Sequence, residues 1–116
     1  MNAVQKGYLQ DLLTHIDKII RYTKDGRDAF FASEMAQDAV LRNFTVLGEI
    51  VKRLGKEFTD NYPHIPWRNI AGFRDVITHD YEDIELYQVW HTVDTEIHPL
   101  RQAINEILAK FDDITG

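Results

Sequence analysis

The eight residues Arg74-Asp75-Val76-Ile77-Thr78-His79-Asp80-Tyr81 set a permanent cation, a titratable imidazole and a phenol in one short stretch. A guanidinium holds phosphate oxygens with its planar fork, and an imidazole moves protons near neutral pH. Those two groups suffice to break an RNA phosphodiester, because RNA brings its own nucleophile, the 2′-hydroxyl. In that transesterification His79 takes the 2′-hydroxyl proton or delivers one to the departing 5′-oxygen. Arg74 stabilises the charge growing on the phosphorane oxygens. The reaction calls for no metal and no cofactor. One histidine cannot easily be acid and base at once, and a homodimer with its two-fold axis near this segment would supply two.

Spacing sets a condition on the helix that carries these groups. Arg74 and His79 lie about 140° apart on an uninterrupted helix, since each residue turns about 100°. They can face one phosphate only if the helix ends or loosens near Thr78–His79, which places His79 at a helix–helix junction. Asp75, four positions before His79, could orient its ring; the alternative is a surface pair with Arg74 and no catalytic role. Glu49 either reaches Arg74 or is an ordinary exposed acid.

The elements that must position these residues follow from apolar periodicity. Leu9, Leu12, Leu13, Ile16, Ile19 and Ile20 predict an amphipathic helix over roughly residues 3–23. Lys24-Asp25-Gly26-Arg27-Asp28 reads as a turn, with Phe30 and Phe31 as an apolar plug after it. A second helix starts at a cap near Ser33, carries Met35, Ala39, Val40, Phe44, Leu47, Ile50, Val51 and Leu54, and stops at Gly55. Pro66 opens a third helix through Ile70, Phe73 and Ile77. Another begins at or near Asp80, with Leu86, Val89, Trp90, Val93 and Ile97 as its stripe, and Pro99 kinks it or starts a new one. No strand alternation is visible. The expected fold is all-α: one domain over residues 1–116, an antiparallel up-and-down bundle of four to five helices.

Composition limits the partners. A chain of 116 residues without cysteine has no disulfide, thiol nucleophile or thiolate metal site, which suits a reducing cytoplasm. No segment reads as a secretory leader, and no apolar run approaches the ~20 residues that span a bilayer. A net charge of −6 argues against a broad basic grip on nucleic acid. Its few cations would have to gather in one groove, and Arg68, Arg74, Lys52, Arg53 and Lys56 are the candidates. The plainer reading of the three α-helical cations Lys52, Arg53 and Lys56 is a solvated, dipole-friendly helix end.

The Arg-x4-His-x-Tyr pattern resembles the signature of HEPN ribonuclease toxins. Pro66-Trp67-Arg68-Asn69-Ile70-Ala71-Gly72-Phe73 before it and Asp83-Ile84-Glu85-Leu86 after it narrow the resemblance to the HepT branch. Tyr8-Leu9-Gln10-Asp11 through Tyr22-Thr23-Lys24, Gln37 through Asn43, and Leu47-Gly48-Glu49-Ile50-Val51-Lys52-Arg53-Leu54 extend it over nearly the whole chain. The resemblance implies a HEPN-like homodimer with composite sites in a cleft between protomers, and a metal-independent RNA endonuclease that leaves 2′,3′-cyclic phosphate ends. It implies Arg74 and His79 as catalytic residues. It also implies a toxin–antitoxin pair whose MntA-like minimal nucleotidyltransferase moves AMP from ATP onto the tyrosine matching Tyr81. The added charge and bulk would then repel substrate phosphate. Some HEPN relatives are catalytically silent interaction modules that bind such a transferase, and that is the alternative reading.

Other residues carry weaker signals. His91 and His98 are seven apart, but no third ligand joins them on that face. Asp80, Glu82 and Asp83 are explained by helix-start chemistry as well as by a Mg²⁺ cluster. Trp67 and Trp90 read as core or interface anchors, although Trp67 could stack on a base.

Overall fold

The computed structural model describes residues 1–79 and 84–115, with side chains described over 1–78 and 84–112. Seven helices and no strand occur among the described residues: α1 (Ala3–Tyr22), α2 (Arg27–Ala32), α3 (Glu34–Leu54), α4 (Lys56–Thr59), α5 (Trp67–His79), α6 (Leu86–Thr95) and α7 (Ile97–Thr115).

Local chemistry accounts for the boundaries. Asn2 and Gln5 close a capping box at the start of α1, each side chain satisfying the other's backbone N–H. Ser33 Oγ accepts from the Ala36 N–H at 3.1 Å and starts α3. Gly55, at φ 82°, ends α3 in a backbone region that side chains disfavour. The Pro66 carbonyl accepts the first α5 bond from Ile70 N, so Pro66 stands one position ahead of the helix that was expected to begin on it.

The apolar stripes explain the packing. Leu9, Leu12, Ile16 and Ile19 of α1 are buried against Val40, Phe44 and Leu47 of α3, while Leu13 and Ile20 stay half-buried at the rim. Full burial of each such side chain is worth roughly 1.5–3 kcal/mol. Helix α3 is central, packing on α1 along one side and α5 along another. Along α3 and α5 residue numbers run in opposite senses: Phe44 meets Phe73 with ring centroids 4.9 Å apart, and Gly48 meets Ile70 and Arg74. Ion pairs Lys6–Asp112 at 2.9 Å and Arg101–Asp17 at 2.7 Å show that α7 runs antiparallel to α1.

Three expectations change and a fourth is met. Residues 27–32 form a short helix where a turn followed by a plug was expected. Met35 does not join the core and is 83% exposed, because it sits in the first turn of α3 beyond the reach of α1. Helix α6 opens at Leu86 after an extended Glu85, later than the Asp80 start, which lies outside the described residues. The new helix expected at Pro99 is present: α6 ends at Thr95, α7 begins at Ile97, and Pro99 falls in its first turn, where a missing N–H costs nothing. None of the helices among the described residues is long and apolar enough to cross a membrane.

Candidate functional site

Helix α5 is the platform of the site, and two contacts set its position. At its start the Trp67 indole, only 6% exposed, donates to the Tyr62 carbonyl at 3.0 Å and ties the preceding loop to the helix. Trp67 is thus a core residue. Midway, α5 presses on α3 at Gly48. A Cβ built there would fall on the Arg74 Cβ and lie 2.8 Å from its Cγ and 3.3 Å from the Ile70 carbonyl. Helices approach this closely only where one contributes no side chain.

The stem of Arg74 therefore lies on the α3 backbone, and its head meets carboxylates. Nη1 donates to Asp75 Oδ1 at 3.0 Å, and Nη2 stands 3.8 Å from Glu49 Oε1. Glu49 does reach Arg74. The Arg74 Nε is buried without a hydrogen-bond partner among the described residues. Lys52 Nζ donates to the same Asp75 oxygen at 2.7 Å. The hydrogen bond from Lys52, then that from Arg74, lowers the Asp75 pKa from its ordinary value, and residual desolvation only partly opposes them. The Arg74–Asp75 charge pair is present and Lys52 shares its Oδ1, while the expected contact of Asp75 with the His79 ring falls on a side chain outside those described.

The backbone of α5 is helical through His79, and the expected end or loosening of the helix beyond it falls on residues outside those described. Regular geometry then places the Arg74 and His79 Cα atoms about 8.7 Å apart on divergent faces. Tyr81, Asp80, Glu82 and Asp83, with the junction expected around them, lie outside the described residues.

Two clefts flank α5. One, of about 590 Å³, lies between the end of α3, α4 and the start of α5, and Lys52, Lys56 and Arg68 line it. Three of the scattered cations are thereby gathered, whereas Arg53 is exposed at the helix end. The other cleft, of about 490 Å³, runs between α5 and α6–α7 over Gly72, Phe73, Val76, His91, Ile97 and Leu100. No group of three or more histidine or carboxylate side chains among the described residues could hold a metal ion. The closeness of Gly48 and the sharing of Asp75 by Lys52 were missed in the sequence. The one available signal was a glycine inside an otherwise apolar helical stretch.

Comparison with known proteins fits this arrangement. The family described as Ribonuclease HepT-like matches residues 12–107. A Methanocaldococcus jannaschii protein named as a gamma-glutamylcyclotransferase and, provisionally, an RNase is 39% identical over 108 residues; they cover 92% of this chain but 49% of that relative, so the chain spans about half its length. A second protein of that organism, named provisionally as an RNase, is 34% identical over 93% of this chain and 94% of its own. A Thermococcus cleftensis protein named as a probable ribonuclease HepT is 31% identical over 87% of this chain and 93% of its own. No solved structure matches the chain. With the family pattern spanning α1 to α7 and relatives matched along nearly their full length, the chain belongs to the HepT-like ribonuclease family.

Proposed function

We propose that this protein is the toxin of a toxin–antitoxin pair: a metal-independent RNA endonuclease acting as a homodimer and silenced by AMPylation of Tyr81. The observation that carries the reading is the setting of Arg74. Its stem is fixed by the Gly48 contact, its terminal nitrogens face carboxylates, and its helix runs on to His79. Carboxylates in those positions mark where a phosphate's oxygens would be held.

In the reaction the His79 imidazole accepts the 2′-hydroxyl proton while the 2′-oxygen bonds to phosphorus. The bond from phosphorus to the 5′-oxygen breaks, and the His79 of a second copy protonates the leaving oxygen. Arg74 neutralises the phosphorane charge, with Glu49 and Asp75 steadying its guanidinium between turnovers. The products are a 2′,3′-cyclic phosphate and a free 5′-hydroxyl. The apolar cleft beside Gly72, Phe73 and Val76 supports the dimer, because Val76 is 43% exposed on the face of α5 that leads to His79.

Silencing follows from charge. The Tyr81 oxygen attacks the α-phosphorus of ATP bound to a partner nucleotidyltransferase, pyrophosphate leaves, and AMP stays beside Arg74 and His79. Intact mass after incubation with that transferase and ATP would rise by whole AMP units in the wild type and not in Tyr81→Phe.

The primary test is cleavage of end-labelled RNA by the purified protein in EDTA. Cyclic-phosphate products that disappear in Arg74→Ala and His79→Ala variants of unchanged stability are expected. Cutting that survives both substitutions would refute the site, and no cutting on varied RNAs would favour a silent module that only binds the transferase.

A further inference from the structure

The cleft between α3, α4 and α5 gathers charge against the trend of the chain. Lys52, Lys56 and Arg68 line it, opposed by a single carboxylate among its lining residues, Asp60. The whole protein carries a net −6. A cationic concavity on an acidic body is a local field, since the repelling acids elsewhere are screened within about 10 Å at moderate salt.

The cleft is also linked to Arg74 through Asp75. One Asp75 oxygen accepts from Lys52 Nζ at 2.7 Å and from Arg74 Nη1 at 3.0 Å. The wall of the cleft and the candidate catalytic guanidinium thus already share one anionic oxygen. That oxygen is a direct stand-in for a non-bridging phosphate oxygen held by both groups. Lys56 is similarly held by Asp60 at 2.6 Å, in a pair whose side chains are 84% and 61% exposed. Such exposed pairs are weak, and a phosphate can take the place of either carboxylate.

We infer that this cleft is a lane for the phosphodiester backbone of single-stranded RNA. In it Lys56, Arg68 and Lys52 grip successive phosphates and deliver the strand to Arg74. The inference deepens the ribonuclease reading and rests on it for the identity of the strand. The lane holds backbone and reads no sequence, because its cations sit on long, exposed stems that reach phosphates rather than base edges. It also explains how an acidic chain can hold RNA: the contact is narrow and lies beside the scissile site.

The test measures binding separately from cutting. The His79→Ala protein would be titrated with fluorescein-labelled single-stranded RNA in EDTA, between about 50 and 200 mM salt, and the slope of log Kd against log salt read by anisotropy. Adding Lys52→Gln, Lys56→Gln and Arg68→Gln should lower that slope by about 2, since each single-strand phosphate contact contributes about 0.7. Adding Lys24→Gln, Arg42→Gln and Lys110→Gln instead removes the same charge from exposed positions outside the cleft and should leave the slope nearly unchanged. An unchanged slope in the cleft variant, an equal fall in the control, or no RNA binding at all would overturn the lane. Wild-type cutting is scored in parallel. Cutting with an unchanged slope sinks the lane alone, whereas the expected fall without cutting upholds the lane and sinks the ribonuclease reading.

Discussion

Gly48 and Arg74 meet where α3 and α5 come closest, and no Cβ fits at residue 48 without displacing the first atoms of the Arg74 side chain. The nearest obstructing atom is the Arg74 Cβ, which cannot move unless α5 moves. Alanine gains about 1 kcal/mol of helix propensity over glycine, but overpacking of a tight contact typically costs about 1–3 kcal/mol. The clash should win. Gly48→Ala is expected to lower the urea midpoint and to cut RNA cleavage more steeply than its stability loss explains, because it shifts the guanidinium. Cleavage at the wild-type rate would show that Arg74 does not depend on this contact.

Gly72 stands in the same helix as Arg74 and has nothing within 4 Å of where a Cβ would go. Here propensity acts unopposed, and Gly72→Ala should stabilise the chain by up to about 1 kcal/mol. For a domain of this size that is a rise in Tm of about 4 °C. The two glycines thus carry opposite signs for one substitution. A Tm of Gly72→Ala that falls below the wild type's as protein concentration rises would mean that a second copy occupies that space.

Residue spacing carried most of the fold. The stripes of α1 and α3 were legible because buried apolar positions recur every three or four residues, from Leu9 to Ile19 and from Val40 to Leu54. Met35 misled because periodicity does not say where a neighbouring helix stops. Helix α2 was hidden because six residues leave too short a pattern beside the turn signals at Asp25-Gly26. Of the candidate site, Arg74 and His79 were legible by residue type, and the helix that carries them by the spacing of Ile70, Phe73 and Ile77. The contact of Gly48 with Arg74 and the shared oxygen of Asp75 were not legible. Both depend on the register of α3 against α5, which no local pattern encodes.

Asn43 is the one buried polar side chain among the described residues, at 6% exposure. Its Nδ2 donates to the Ala39 carbonyl at 2.8 Å, which leaves Oδ1 to accept from His15 Nδ1 at 2.7 Å and places a hydrogen on that ring nitrogen. This pair joins α1 to α3 within an otherwise apolar seam. Asn43→Leu removes both bonds and strands the His15 donor, and should cost about 1–3 kcal/mol in urea unfolding with cleavage retained. An unchanged midpoint would mean that water or repacking fully replaces the pair.

Asp75 supplies a pH signature for the cluster around Arg74. Lys52, first, and Arg74, second, stabilise its charged form, so its folded pKa lies below the unfolded one. The stability contributed by this group is therefore fully present above the unfolded carboxylate value and is lost as pH falls through the lower, folded one. A carboxyl-carbon NMR titration should find the Asp75 midpoint below the ordinary aspartate range, and Lys52→Gln should move it back up. In the proposed lane the same carboxylate would compete with RNA for both cations. Asp75→Asn is accordingly expected to tighten RNA binding several-fold at low salt, with the gain shrinking as salt rises. Weaker binding in Asp75→Asn would mean that Asp75 holds the cluster in shape and does not occupy the place of a phosphate.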